Sequence, residues 1–169
     1  MKTLGWIVGS FVLLGVALSG ACFCDPGPSG PRGSAERCSY RPGDAALPAE
    51  RSVEVGELQD DVFAPWSEGS DATIVRGFQG SDMLLPVVRV PALPSDAEDE
   101  VCANVQLRIA TSDGEFTTDL AWVMRREGDF FQSGTIELPL FASGAATVEG
   151  SVSEASFTAT IAPRTVTLR

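Results

Sequence analysis

The residues whose side chains could most readily take part in chemistry are four cysteines of this 169-residue chain, Cys22, Cys24, Cys38 and Cys102. None of them forms a CxxC pair, so the spacing does not favour a zinc site or a thioredoxin-like redox centre. Cys22 and Cys24 are separated by one residue and are too close to pair comfortably with each other. Outside the cytoplasm, cysteines are expected to form disulfides. The pattern therefore favours attachment or structural disulfides over metal binding.

The composition of the chain argues against the commonest catalytic mechanisms. There is no histidine, which excludes Ser-His-Asp catalysis, Cys-His catalysis and histidine-ligated zinc. Lys2 is the only lysine and lies in a segment expected to be removed, so Schiff-base chemistry and a Ser-Lys dyad are not expected either. The 23 acidic residues could supply a carboxylate pair for glycan cleavage, but no pair is singled out. We predict no catalytic residue, no cofactor and no metal, with a secreted carboxylate-based hydrolase acting on glycans as the alternative.

Two acidic clusters are candidate calcium sites. One is Asp60-Asp61, and the other lies within residues 96–100. The members of the second cluster are Asp96, Glu98, Asp99 and Glu100. Neither cluster has the ligand spacing of a calcium loop, so both are predicted to be solvated loops.

Two tryptophans are candidate contact residues. Trp66 follows Pro65 in an expected loop, where it could present its ring to a sugar or a protein. Trp122 lies on an alternating apolar face and is predicted to pack in the core. The ligand-binding residues of the domain are otherwise unknown from the sequence.

The N-terminus has the order of charge and hydrophobicity of an export signal. Met1-Lys2-Thr3 carries one positive charge, residues 4–18 are apolar, and Ser19-Gly20-Ala21 are small. Where these residues meet Cys22, the sequence resembles the bacterial lipoprotein signal, in which a peptidase cuts before a cysteine that carries lipid. The resemblance implies that residues 1–21 are a signal peptide and that Cys22 is the lipid attachment site. Ser19 departs from the leucine that is usual in that family.

Two alternatives to lipidation remain open. The same small residues suit an ordinary signal peptidase, which would release a soluble protein. The apolar run from Thr3 to Ala21 is also long enough to stay uncut and span a bilayer, since about 20 residues are needed. With Cys22 lipidated, we expect a lipoprotein of the bacterial cell envelope, anchored to a membrane on its periplasmic or surface side.

The chain after the signal divides into a tether and a domain. Residues 22–50 contain a Pro/Gly-rich run and are predicted to be a disordered, lipid-attached tether. Residues 51–169 show period-two alternation, which is typical of strands with one buried face. The alternating runs are Val101–Ile109, Phe116–Met124, Ile136–Leu140, Val148–Val152, Phe157–Ile161 and Val166–Leu168. They predict an all-β fold, an antiparallel immunoglobulin-like β-sandwich of about eight strands, with a small closed barrel as the alternative.

Two further runs, Ala72–Phe78 and Met83–Val90, are predicted to form a hairpin. Pro86 and Pro91 indicate that its second arm is an edge strand, because proline cannot donate a hydrogen bond to a central ladder. Around Gly77-Phe78-Gln79-Gly80 the chain resembles a set of uncharacterised lipoproteins of myxobacterial type. These carry a Gly-x-Gln-Gly motif between two strands. That resemblance implies a lipoprotein with a β-sandwich and no established activity.

The alternation also places Cys102 on the face of its strand opposite the core. Val101 and Ala103 lie on the apolar face, whereas Cys102 shares its face with Asn104 and the polar residues beyond it. Core packing gives no reason for a cysteine there, so we predict a disulfide to a residue outside the sandwich. Cys24 lies two residues from the lipid and Cys38 reaches the domain more easily, so Cys38–Cys102 is the favoured pair.

The net charge bears on the partners of the domain. A formal charge of −11 with scattered arginines disfavours nucleic acid, which requires a basic patch. It also disfavours electrostatic adhesion to anionic lipid, so a covalent anchor would have to hold the protein at a membrane. We therefore predict a membrane-anchored envelope lipoprotein that displays a single β-sandwich as a binding or structural module. An envelope protein or a glycan is its candidate partner.

Overall fold

The computed structural model describes residues 35–40, 49–77, 80–140 and 143–169. These ranges form an all-β fold of thirteen strands. The strands are β1 Ala49–Arg51, β2 Glu54–Gln59, β3 Val62–Pro65, β4 Ser70–Ala72, β5 Ile74–Arg76, β6 Asp82–Leu84, β7 Val87–Pro91, β8 Glu100–Thr111, β9 Gly114–Glu127, β10 Phe130–Ser133, β11 Leu138–Leu140, β12 Gly144–Ser153 and β13 Phe157–Leu168. Within the described ranges, no helix has the length and apolar character needed to cross a membrane.

The strands form one large sheet and one small sheet. The large sheet has ten strands in the order β1-β13-β12-β8-β9-β10-β7-β2-β3, with β4 also pairing β13. The small sheet has the order β11-β6-β5. The pairings of β13 with β1 and with β4 are parallel, and the other described strand pairs are antiparallel.

The connection from β3 to β4 shows that the large sheet folds back on itself. Strand β3 ends the path at Pro65, yet β4 begins at Ser70 beside β13, near the other end of the path. In a flat sheet the seven strand spacings from β13 to β3 would measure about 34 Å, whereas five residues reach at most about 17 Å. The sheet must therefore curve until its ends come near each other, and its inner side chains share one core. This layered arrangement is consistent with the predicted β-sandwich.

The long strands follow the predicted alternation. On β8 the side chains of Ala103, Val105, Leu107 and Ile109 are buried, and on β9 the buried residues are Thr118, Trp122 and Met124. The runs within 136–140, 148–152, 157–161 and 166–168 also have their apolar positions in the core. The number of strands is larger than the predicted eight, because β1, β4, β5, β6 and β11 have three residues each. Three residues are too few to show a period.

The predicted hairpin is present, but the predicted edge strand is wrong. Strands β5 and β6 pair antiparallel, and the chain then leaves the small sheet at Pro86. Strand β7 lies inside the large sheet, between β10 and β2. Its ladder tolerates the two prolines because Pro86 precedes the strand and Pro91 is its last residue, opposite Phe130.

A buried carboxylate holds the chain where it passes from the large sheet to the small one. Thr73 separates β4 from β5, and Glu57 of β2 accepts hydrogen bonds from the Thr73 amide at 2.8 Å and from the Thr73 hydroxyl at 2.9 Å. The Gln59 side-chain amide donates a third bond at 2.8 Å. Burial raises the pKa of Glu57, but hydrogen bonds, chiefly those from Gln59 and Thr73, outweigh burial and hold that pKa below its ordinary value. Glu57 is therefore ionised and fixes the bend at Thr73.

Strands β12 and β8 leave no room for a side chain at Gly150. A Cβ atom there would lie 2.0 Å from the carbonyl oxygen of Gln106, and the pairing of β12 with β13 shifts register between Val148 and Gly150. We expect Gly150→Ala to lower the free energy of unfolding by about 2 kcal/mol, since the strands must move apart to admit a methyl group. Denaturant unfolding measures the change. Ser153→Ala on the same strand is the control, and a Gly150→Ala variant with the same stability as that control would contradict the close approach.

Candidate functional site

The predicted disulfide between Cys38 and Cys102 is present. The two sulfur atoms are bonded, and the Cα atoms lie 5.9 Å apart. Cys102 lies opposite Val123 on β9, on the outer face of the large sheet, as the alternation of β8 predicts. Cys22 and Cys24 lie outside the described residues.

The segment before Cys38 is part of the folded domain. The Ala35 amide donates to the Thr135 carbonyl at 2.9 Å, the Val123 amide donates to the Glu36 carbonyl at 2.7 Å, and the Cys38 amide donates to the Ala121 carbonyl at 3.2 Å. These contacts place residues 36–38 along β9 and Ala35 beside Thr135, within a region that the sequence assigned to a disordered tether. Strand β1 also begins at Ala49, so the predicted boundary between residues 50 and 51 falls inside a strand. The segment is too short to show a period, and for that reason its order could not be foreseen.

The acidic cluster at residues 96–100 is not a uniformly solvated loop. Asp96 forms two hydrogen bonds with the Arg51 guanidinium, at 2.7 and 2.8 Å, and the two side chains are only 13% and 6% exposed. Hydrogen bonds from Arg51 hold the pKa of Asp96 below its ordinary value, against the opposing effect of burial. Asp99, by contrast, is 92% exposed and lies 3.6 Å from Arg126. The solvated-loop prediction is therefore wrong for Asp96.

The other residues that the sequence suggested as candidate sites, the two tryptophans and Asp60-Asp61, are parts of the core or of a turn. Trp66 is buried in the core, so the hypothesis that its ring faces a ligand is wrong, whereas Trp122 is buried as predicted. Asp60 and Asp61 have φ values of 50° and 64° and form the two-residue turn between β2 and β3. Among the described residues, no three cysteine, aspartate or glutamate side chains are arranged to hold a metal ion.

The Gly-x-Gln-Gly motif lies at the turn of the β5–β6 hairpin. The Gly80 amide donates to the Gly77 carbonyl and the Gly77 amide donates to the Ser81 carbonyl, both at 2.8 Å. Gly80 has a φ of 81°, which side chains disfavour, so glycine is suited to this position. Phe78 and Gln79 lie outside the described residues.

A groove of about 610 Å³ on the outer face of the large sheet is the candidate binding site. One wall is the β2–β3 hairpin, including Leu58, Val62 and Phe63, and the opposite wall is β9. The floor carries Arg89 of β7 and Gln132 of β10. We call this feature the β7–β10 groove.

A row of side chains crosses the groove from strand to strand. Glu54 lies opposite Arg89, Arg89 opposite Gln132, Gln132 opposite Arg125, and Arg125 opposite Glu100. Directly paired residues of antiparallel strands point to the same face of a sheet. Five strands, β2, β7, β10, β9 and β8, therefore place two guanidinium groups and one amide side by side.

Aromatic rings and a carboxylate fix the position of Arg89. Its guanidinium carbon lies 3.9 Å from the centre of the Phe130 ring and 4.3 Å from the centre of the Phe63 ring. Its Nε donates to Glu54 at 2.8 Å. The side chain is 24% exposed, so it reaches the groove without being fully solvated. Stacking and one ion pair thus limit the rotation of this side chain.

Arg125 is held by two glutamates. Its Nε donates to Glu100 at 2.7 Å, and one Nη donates to Glu36 at 2.8 Å. These hydrogen bonds raise the pKa of Arg125 above its ordinary value, with Glu36 contributing most. Glu36 belongs to the segment that the disulfide fastens to β8 and that backbone hydrogen bonds join to β9. The N-terminal segment and the groove are therefore directly connected.

The groove residues could not be identified from the sequence. Arg89 is the one polar residue of the short strand β7, and Gln132 lies next to Ser133 in the four-residue strand β10. Phe63 and Phe130 lie just after two-residue turns. The one available indication is that charged residues alternate with buried ones at Arg89 and Arg125. The chemistry of the groove is recognition by hydrogen-bond donors beside apolar side chains. No model of a protein family, no curated protein and no solved structure matches this chain significantly.

Proposed function

We propose that this chain is an envelope lipoprotein that is anchored through lipidated Cys22 and displays its β-domain as a binding module. The observation that carries the anchoring is the apolar run of residues 4–18, followed by Ser19-Gly20-Ala21-Cys22. The Cys38–Cys102 disulfide supports the same location, since stable disulfides form in oxidising compartments outside the cytoplasm. The β7–β10 groove supports the binding role.

The proposal has two finer parts that come from the sequence. One is an immunoglobulin-like arrangement of the sandwich, and the other is the relation to uncharacterised lipoproteins of myxobacterial type. We propose that the chain is not an enzyme and that it does not bind nucleic acid. The expected contacts are the membrane, through the lipid, and a protein or glycan of the envelope, through the domain.

Metabolic labelling tests the anchor. The full chain is expressed in a bacterial host with an alkyne-labelled fatty acid, and the intact mass of the membrane-extracted protein is measured. We expect the wild-type chain to carry the label and to lack residues 1–21. Cys22→Ala should abolish labelling, because the acceptor thiol is gone.

Cys24→Ala is the matched control, since it removes a neighbouring thiol that is not predicted to carry lipid. This variant should be labelled like the wild type. Labelling that persists in Cys22→Ala would disprove the anchor. An unlabelled wild-type mass beginning at residue 22, or at residue 1, would instead identify ordinary cleavage or an uncut segment.

A further inference from the structure

The β7–β10 groove contains hydrogen-bond donors that the protein itself does not use. Arg89 donates through Nε to Glu54, but within the described part of the chain neither of its two Nη atoms has an acceptor. The same holds, over those residues, for the side-chain amide of Gln132 and for one Nη of Arg125. All three side chains line the groove. A ligand with acceptor oxygens could therefore bind here without breaking an internal hydrogen bond.

The planar guanidinium of Arg89 is already oriented for such a ligand. The rings of Phe63 and Phe130 lie 4.3 and 3.9 Å from its central carbon, and Glu54 holds its Nε edge. The remaining edge presents two parallel N–H groups, which is the geometry that a carboxylate accepts in bidentate fashion. Because the Arg89 side chain is held in place before binding, less of its conformational entropy is lost when a ligand binds.

Apolar side chains lie beside these donors. Leu58, Val62, Phe63 and Val123 line the groove together with the arginines. Val62 is 67% exposed, which is unusual for a large aliphatic side chain in this domain. A ligand that fits the groove should therefore carry an apolar group next to its acceptor.

The surrounding charge limits the ligand to a single negative group. Five carboxylates border the row or line the groove, and they belong to Glu36, Glu54, Asp61, Glu100 and Glu127. The chain as a whole has a formal charge of −11. A polyanion would be repelled by this field, whereas one carboxylate can pair with the guanidinium group of Arg89.

We propose that the β7–β10 groove binds the C-terminal carboxylate of a peptide whose last residue is apolar. The carboxylate pairs with Arg89 and Gln132, and the last side chain packs against Val62 and Leu58. This inference rests on the proposed binding role and names the chemistry of its ligand.

Nuclear magnetic resonance titration of the full mature chain, extracted with its disulfide intact, tests the proposal. The probe is an acetylated Gly-Gly-Ala-Leu peptide with a free C-terminal carboxylate, and the observed signals are the Arg89 Nε–H and the Gln132 side-chain amide. We expect saturable shifts of both signals. The same peptide with an amidated C-terminus should bind at least about tenfold more weakly, because a charge-assisted bidentate pair is lost.

Variants then assign the binding to the groove. Arg89→Lys keeps a positive charge and an apolar stem but loses the planar fork, and Arg89→Ala loses both. We expect affinity to fall at least about tenfold in Arg89→Ala and several-fold in Arg89→Lys. Arg108→Ala is the control, since Arg108 is also held by two glutamates but lies on β8 outside the groove. Its affinity should equal that of the wild type.

Several outcomes would overturn the proposal. If the amidated peptide bound as tightly as the free acid, the C-terminal carboxylate would be excluded as the group that the groove recognises. If acetate or inorganic phosphate bound as tightly as the peptide, the groove would be a general anion site. Equal losses in Arg89→Ala and Arg108→Ala would place the binding elsewhere. Because the fatty-acid labelling depends on Cys22 and not on the groove, failure of this ligand is distinguishable from failure of the anchor.

Discussion

Removing the Cys38–Cys102 disulfide is expected to lower the free energy of unfolding by about 4 kcal/mol. The bond joins residues 64 positions apart, and closing a loop of that length restricts the unfolded chain by about that amount in the chain-entropy model. The folded protein also loses order at Glu36 and Arg125, whose ion pair depends on the fastened segment. Denaturant unfolding of the full chain with both cysteines replaced by serine measures the effect.

Cys24→Ser is the control for this measurement. It replaces a cysteine that does not take part in the Cys38–Cys102 bond, so its stability should equal that of the wild type. A double-serine variant that unfolds within about 1 kcal/mol of the control would show that the segment is held by its backbone hydrogen bonds rather than by the disulfide.

Replacing Asp96 by asparagine is expected to destabilise the domain by about 3 kcal/mol, because Arg51 would keep a buried charge without its counter-ion. Arg51 is 6% exposed, stacks 4.5 Å from the centre of the Phe157 ring, and also donates to the Pro91 carbonyl at 3.1 Å. It therefore joins β1 to the loop after β7. Asp99→Asn, at an exposed ion pair, should change stability by less than about 1 kcal/mol.

The loss of stability caused by Asp96→Asn should disappear in acid. The pKa of Asp96 is lower in the folded protein than its ordinary value of about 3.9. The contribution of Asp96 to the free energy of unfolding is therefore fully present above that value, where the carboxylate is ionised in both the folded and the unfolded protein. This contribution is lost as the pH falls through the pKa of Asp96 in the folded protein. Unfolding measured from pH 7 to pH 2 should show the wild type and Asp96→Asn converging below about pH 4. A stability difference that stays constant over this range would exclude the ionised pair as its cause.

The sequence was informative where a strand was long. Period-two alternation over 100–111 and 114–127 revealed both the buried face and the anomalous position of Cys102, and the disulfide followed from that anomaly. Alternation works there because each strand has one face in the core and is long enough to show it.

The sequence was uninformative where position depends on partners distant along the chain. Trp66 follows a proline like a loop residue, but its side chain is buried in the core among residues from other parts of the chain. Asp96 belongs to an acidic run, yet its role is set by Arg51, which is 45 positions away. The β7–β10 groove is the extreme case, because strand register alone aligns Glu54, Arg89 and Arg125.

If the domain is anchored through Cys22 as proposed, the fastened segment at Ala35 sets how far the domain can move from the membrane. The 13 residues from Cys22 to Ala35 can extend about 45 Å at most, whereas a tether running to Ala49 could extend about 95 Å. The smaller radius encloses roughly one ninth of the volume, so a partner in the same membrane would meet the anchored domain at a correspondingly higher effective concentration. On the proposed anchoring, the disulfide and the backbone hydrogen bonds of residues 35–38 would thus set the volume of membrane surroundings that the domain can explore.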